Sequence, residues 1–83
     1  MWSDTETLSG ILQTEPTLSY THNGKALCKA KFETEDEQLT LVAWEENAHI
    51  LNSEPKGSEL TIEGYRKYNE FNKREEFQIT SIE

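Results

Sequence analysis

The chain has 83 residues, of which 34% are hydrophobic and 29% are charged, and its formal net charge at pH 7 is −8. This length predicts one small domain over residues 1–83, which leaves little room for the deep cleft of an enzyme. No apolar run approaches the ~18 residues of a membrane span, and the first residues lack the basic and apolar regions of a signal peptide. The single cysteine excludes an internal disulfide framework, so we expect a reducing, cytoplasmic location.

The first predicted strand covers residues 7–13. Gly10 lies inside it, which suggests a bulge or a bend. Pro16 then interrupts the strand before it resumes over 18–21, and this pattern is typical of a long curved strand or of a strand pair.

A hairpin turn is predicted at Asn23-Gly24, because both residues tolerate a positive φ. The strand that follows, 24–32, alternates between two faces. Its inward face carries small or apolar residues, namely Ala26, Cys28, Ala30 and Phe32, and its outward face carries Leu27, Lys29 and Lys31. The position of Cys28 predicts a small core residue.

The third predicted strand covers 38–44 and leads into a short helix over 45–51. One face of the strand carries Leu39, Leu41 and Ala43, and the other carries Thr40, Val42 and Trp44. In the helix, Ala48 and Leu51 are spaced to face the core, and acidic residues in the first turn suit a helix N-terminus.

Two more strands complete the pattern. The fourth covers 59–68, with Leu60 and Ile62 inward, and the fifth covers 76–80, with Phe77 and Ile79 inward. The polar stretch 69–74 between them predicts a hairpin tip. Five short strands with a helix between the third and fourth indicate an all-β, five-stranded OB-fold barrel.

Several segments, taken in chain order, resemble bacterial single-stranded DNA-binding proteins. They are Gly10-Ile11-Leu12, Pro16-Thr17-Leu18-Ser19-Tyr20, Asn23-Gly24-Lys25-Ala26-Leu27, Val42-Ala43-Trp44 with Ala48, and Lys56-Gly57-Ser58 followed by Leu60, Ile62, Glu63 and Gly64. The resemblance spans about residues 8–82 and includes the short PriB-type (primosomal replication protein) members of this family. Three features depart from the family pattern: the acidic-tipped tail is absent, the loop Glu33–Glu37 is short and acidic, and Gln38 stands where a stacking Trp is frequent.

The resemblance implies a protein that coats single-stranded DNA without sequence preference in replication, recombination or repair. It places Trp44 and Phe71 at base-stacking positions, and Tyr65 and Tyr68 on the same strand and hairpin could extend the stacking surface. The cations expected to contact phosphates are Lys29, Lys31, Arg66, Lys67, Lys73 and Arg74. Family members are dimers or tetramers and act with replication proteins, so a homodimer or homotetramer is expected, with Leu8, Ile11 and Leu27 as candidate interface residues.

Other interpretations remain open at this stage. Tyr20 is expected to pack against the barrel. Trp44 could pack in the core, although Thr40 on the same face argues against it, and the cations could belong to an ordinary solvated mixture of charges. The surplus of acids also allows a protein–protein adaptor that binds a basic partner through Glu33–Glu37. RNA is as possible a ligand as DNA, because no 2′-hydroxyl reader can be identified.

Nothing in the sequence predicts a catalytic site, a cofactor or a metal. Cys28, His22 and His49 lack the spacing of metal ligands, and no nucleophile, base and acid are arranged for catalysis. We therefore expect a non-enzymatic binding protein.

Overall fold

The computed structural model describes residues 5–83. Six strands and one helix are found there, with the following bounds: β1 (Glu6–Leu12), β2 (Thr17–Tyr20), β3 (Ala26–Glu33), β4 (Gln38–Trp44), α1 (Glu46–Asn52), β5 (Glu59–Asn69) and β6 (Arg74–Ile82). The hairpin between β2 and β3 turns at Gly24, which has a φ of 84°. The predicted hairpin and helix are therefore confirmed.

Five of the strands form a closed ring. The sheet order is β1-β5-β6-β4-β3, and a short pairing of β1 with β3 closes it, while β2 extends the sheet on the far edge of β3. The closing pairs are Ile11 with Glu33 and Leu12 with Phe32. This arrangement confirms the five-stranded barrel with a helix between its third and fourth strands. The interruption at Pro16 divides the first predicted strand into the pair β1 and β2.

The core lies inside the ring and follows the predicted alternation. On β3, the inward residues Ala26, Cys28, Ala30 and Phe32 are all buried. Phe77 and Ile79 of β6 and Leu60 and Ile62 of β5 join the same cluster, together with Ala48 and Leu51 of α1. Burial raises the pKa of the Cys28 thiol, which suits a small, unreactive core residue.

Of the bulge or bend suggested at Gly10, the bulge was wrong, and so was the expected packing of Tyr20. The pairing of β1 with β5 continues without a shift through Gly10. A glycine is needed at this position because a Cβ there would lie 2.2 Å from the Glu33 carbonyl oxygen. The bulge lies instead on β6 at Thr80, between the pairs Glu63–Ser81 and Gly64–Ile79. Tyr20, which was expected to pack on the barrel, is 61% exposed, with its ring centroid 6.4 Å from that of His49.

Gly64 provides a test of the packing between β5 and β6. A Cβ at this position would lie 2.0 Å from the Gln78 carbonyl oxygen and 2.8 Å from the Phe77 ring. We expect Gly64→Ala to lower the free energy of unfolding by about 3 kcal/mol, because a buried backbone must move. Gly24→Ala is the control, since its Cβ meets nothing within 4 Å and only the left-handed backbone opposes it, at about 1–2 kcal/mol. The free energies of unfolding are measured by urea denaturation, and equal losses for the two variants would contradict the close contact at Gly64.

Candidate nucleic-acid interface

The outward residues of β3, β4, β6 and β5 lie in register on one face of the barrel. Lys29 pairs with Val42, Val42 pairs with Gln78, and Gln78 pairs with Tyr65, so these four residues form a row across the sheet. Since neighbouring Cα partners project side chains to the same side of a sheet, this row defines the outer face. Leu27 with Trp44, and Lys31 with Thr40, form parallel rows on either side of it.

A groove of about 540 Å³ crosses this face; we call it the aromatic groove. Trp44, Tyr68 and Phe71 line it, and so do the cations Lys29 and Lys67. Trp44 is 40% exposed, and its indole N–H donates to Gln78 Oε1 at 3.2 Å. The alternative of core packing for Trp44 is therefore wrong, and one edge of the indole is fixed while the ring faces solvent.

Phe71 is the most exposed large apolar side chain of the described chain, with 98% of its surface accessible. It lies in the turn between β5 and β6. Asn69 Oδ1 accepts hydrogen bonds from the backbone N–H groups of Phe71 at 2.9 Å and Asn72 at 3.1 Å. The ring makes no contribution to the core, so the turn presents an aromatic surface to whatever lies in the aromatic groove.

A second groove, of about 370 Å³, lies beside the first; we call it the cationic groove. Lys29, Lys31 and Arg74 line it together with the hydroxyl-bearing residues Thr14, Thr17 and Thr40. Lys31 Nζ donates to Thr40 Oγ1 at 3.1 Å. Ammonium, guanidinium and hydroxyl groups are the usual side-chain donors to phosphate oxygens, so this groove can hold an anion.

The two grooves meet at Lys29 and Glu76, which line both. The two side chains form an ion pair of 3.5 Å, and the Glu76 side chain is only 4% exposed. Burial raises the pKa of the Glu76 carboxyl, but hydrogen bonds from Asn69 and Asn72 and the Lys29 ammonium outweigh that effect and leave the pKa below its ordinary value. Glu76 is therefore a carboxylate at neutral pH, and it neutralises part of the Lys29 charge.

The structure brings eight of the ten predicted contact residues to this face. Seven line the two grooves, and Tyr65 lies in the central row, 39% exposed. The seven are Lys29, Lys31, Trp44, Lys67, Tyr68, Phe71 and Arg74. Lys73 lies in the turn with a φ of 52° and lines neither groove, and Arg66 is elsewhere.

Arg66 does not occupy its expected position on the outer face. It pairs in register with the inward residue Phe77, so its side chain leaves the sheet on the opposite side. There it donates to both carboxylate oxygens of Glu6, at 2.9 and 3.3 Å, and to both of Glu37, at 2.8 and 2.6 Å. Arg66 thus ties the start of β1 to the loop before β4, and its charge is compensated there.

Two outward residues of β6 were missed by sequence reasoning. Gln78 positions the Trp44 indole, and Glu76 connects Lys29 with the β5–β6 turn. The face of the sheet on which they lie was predictable, since they alternate with the inward residues Phe77 and Ile79. Their partners were not predictable, because these come from strands distant in the chain.

Over residues 5–83, no three His, Cys, Asp or Glu side chains are grouped closely enough to hold a metal ion. Within the same residues, no helix has the length and apolar character needed to cross a membrane.

The architecture is that of the OB domains of bacterial single-stranded DNA-binding proteins, as comparison with solved structures shows. The SSB domain of a Synechococcus sp. protein matches with a TM-score of 0.89 at 19% identity, over 99% of this chain and 96% of that chain. PriB from Ralstonia solanacearum matches with a TM-score of 0.82 at 15% identity, over 99% and 98% of the two chains.

The single-stranded DNA-binding protein from Thermus aquaticus has the same fold, with a TM-score of 0.89 at 23% identity. This chain is 98% covered by the match but spans only 39% of the Thermus protein. No protein-family model and no curated protein matches the sequence. The expected resemblance is therefore confirmed at the level of the fold.

The Arg66 network predicts a pH-dependent stability. Hydrogen bonds from Arg66 lower the pKa of Glu37, so this contribution is fully present above the ordinary carboxyl pKa of about 4.3 and is lost as the pH falls through the lower folded value. We expect Arg66→Gln to lower the free energy of unfolding by about 1 kcal/mol at pH 7. The difference from the wild type should shrink on acidification below pH about 4. Urea denaturation of the wild type and the variant at pH 7 and below pH about 4 measures this difference in stability. A difference that is the same at both pH values would contradict the network.

Proposed function

We propose that this protein binds single-stranded DNA without sequence preference, as a non-enzymatic component of replication, recombination or repair. The observation that carries the proposal is the combination, on one outer face, of exposed aromatic rings with cations that line two adjoining grooves. Stacking of one base on an aromatic side chain contributes about 1–3 kcal/mol and tolerates every base. The structural neighbours that are single-stranded DNA-binding proteins support this assignment.

In this proposal, bases stack in the aromatic groove against Trp44 and Phe71, and Tyr65 and Tyr68 extend that surface. Phosphates are bound by Lys31 and Arg74 in the cationic groove and by Lys67 beside the aromatic groove. Lys29 contributes less, because Glu76 already balances part of its charge. Lys73 lines neither groove, so it is assigned no phosphate contact, and Arg66 takes no part.

The net charge of −8 predicts weak binding that is sensitive to salt. The densest acidic segment, Glu33–Glu37, lies in and beside the loop between β3 and β4 and lines neither groove. The carboxylates that do line the grooves are Glu15, Glu70 and Glu76. Screening at physiological ionic strength acts over about 8 Å, so local charges decide the attraction of a phosphate. Three phosphate contacts would give a log–log salt slope of about −2.

Fluorescence tests the proposal directly. With Trp2 replaced by Phe, Trp44 is the one remaining tryptophan, since the chain has 2. Oligo-dT at about 20 mM salt should quench its emission in a saturable way, because a base stacks on the indole. Added salt should reverse the quenching, and Phe71→Ala should weaken the binding about 5- to 150-fold, the range of one stacked base.

A flat titration at high micromolar protein concentration would reject single-strand binding. Quenching that Phe71→Ala leaves unchanged would reject the aromatic groove as its location. Tyr20→Ala is the matched control, since Tyr20 is also exposed but lines neither groove.

The phosphate contacts can be separated from general charge effects by three single substitutions. Lys31→Gln should weaken binding to every sequence and make the salt slope less negative by about 0.7, the value for one lost contact. Arg66→Gln and Lys56→Gln remove the same charge at places outside both grooves, so each should leave the slope nearly unchanged. Equal effects of all three substitutions on the slope would show that net charge alone governs binding.

The adaptor remains a second candidate, favoured by one observation. A groove of about 550 Å³ lies against β1, where Leu8 and Ile11 are bordered by Glu33, Glu35 and Asp36. Its acidic border suits a basic protein partner. The fluorescence titration separates the two functions, because an adaptor gives no response to oligo-dT.

Self-association as a homodimer or homotetramer also stays a prediction. Of the three residues expected at an interface, Leu8 and Ile11 line the same groove beside β1, whereas Leu27 lines the aromatic groove. Sedimentation at two protein concentrations measures the oligomeric state. A monomer at every concentration would contradict the prediction.

A further inference from the structure

A buried carboxylate lies between two grooves that are proposed to bind a polyanion. Glu76 Oε1 accepts a hydrogen bond from Asn69 Nδ2 at 3.0 Å, and Oε2 accepts one from Asn72 Nδ2 at 3.3 Å. Lys29 Nζ donates to the same Oε2 at 3.5 Å. Both oxygens of the carboxylate are thus occupied by donors; Asn72 belongs to the β5–β6 turn, and Asn69 is the last residue of β5 before it.

The same asparagines connect Glu76 to Phe71. Asn69 Nδ2 donates to Glu76, while Asn69 Oδ1 accepts from the backbone N–H groups of Phe71 and Asn72. A continuous series of hydrogen bonds therefore runs from the buried carboxylate through Asn69 to the backbone of the exposed aromatic residue. We call Glu76, Asn69 and Asn72 the clasp.

We propose that Glu76 is a positioning residue for single-strand binding: through the clasp it holds the β5–β6 turn so that the Phe71 ring faces the aromatic groove before the strand arrives. This inference rests on the proposed function. A turn that is already ordered loses less conformational entropy when a base stacks on it, which strengthens binding. The clasp gives a physical reason for a carboxylate in this place, where its charge by itself repels phosphates.

The positioning role and simple electrostatics predict opposite changes in DNA affinity for the Glu76→Gln variant. Removal of one negative charge from the groove should tighten the binding of a polyanion. The clasp predicts weaker binding, by about fivefold, because an amide has one acceptor oxygen where the carboxylate has two. Glu70→Gln is the matched control, since Glu70 lines the same groove but lies outside the clasp, and it should bind oligo-dT more tightly.

Affinity for oligo-dT at fixed low salt is therefore measured for the wild type, Glu76→Gln and Glu70→Gln. Tighter binding by both variants would overturn the positioning role. Thermal unfolding shows whether Glu76→Gln remains folded. Asn69→Ala supplies a second variant with unchanged net charge, which should also bind more weakly, and unchanged binding by a folded Asn69→Ala would overturn the proposal.

Hydrogen exchange without DNA tests the clasp independently of the proposed function. The amide protons of Phe71 and Asn72, which are bonded to Asn69 Oδ1, should exchange at least about fivefold faster in Glu76→Gln than in the wild type. The same amides in Glu70→Gln should exchange at the wild-type rate. Unchanged exchange in Glu76→Gln would reject the clasp even if DNA binds. If the wild type binds no DNA, single-strand binding fails, and the exchange rates alone decide whether Glu76 orders the turn.

Discussion

The two-residue alternation of the strands is the constraint on which the structure depends. On β3 it buries Cys28 and Ala30 and turns Lys29 and Lys31 outward, and on β6 it buries Phe77 and Ile79 and turns Glu76 and Gln78 outward. The core therefore determines the register of the outer face, since a slip of one residue would exchange the two sets. A small barrel that closes its sheet can combine a packed interior and a binding face in this way without a separate layer.

The placement of charge explains how an acidic chain can offer a site for an anion. Arg66 is drawn to Glu6 and Glu37 on the far side of β5, so the most strongly paired cation stabilises the fold. Glu76 interacts with Lys29 and the β5–β6 turn, so the one buried carboxylate within residues 5–83 has both oxygens hydrogen-bonded. Three of the other cations, Lys31, Lys67 and Arg74, line the grooves, where they can act on a phosphate at short range.

Much of the fold could be predicted because its determinants are local. Alternation identified the inward residues of β3 and β6, and Asn23-Gly24 identified the hairpin. The shared face of Thr40 and Trp44 favoured a surface position for the indole, but core packing stayed open, since Val42 on that face is buried. The role of Gly10 was missed because the backbone that approaches it belongs to Glu33, which is remote in the chain.

The hydrogen-bond partners of the site residues could not be predicted from local sequence patterns either. Arg66 bonds to Glu6 across 60 positions, and Trp44 bonds to Gln78 across 34. Such contacts depend on the order of strands in the sheet, which places β5 between β1 and β6 and places β6 beside β4. Counting cations along the hairpin therefore grouped Arg66 with Lys67, although successive residues of one strand face opposite sides of the sheet.

The central claim is that a single strand lies across the aromatic and cationic grooves. An NMR titration of the ¹⁵N-labelled protein with oligo-dT at low salt locates the ligand residue by residue. We expect chemical-shift changes for the Trp44 indole N–H and for the amides of Lys31 and Phe71, with little change at Leu8 and Asp36. Shifts confined to β1 and the loop between β3 and β4, or none in the two grooves, would contradict it.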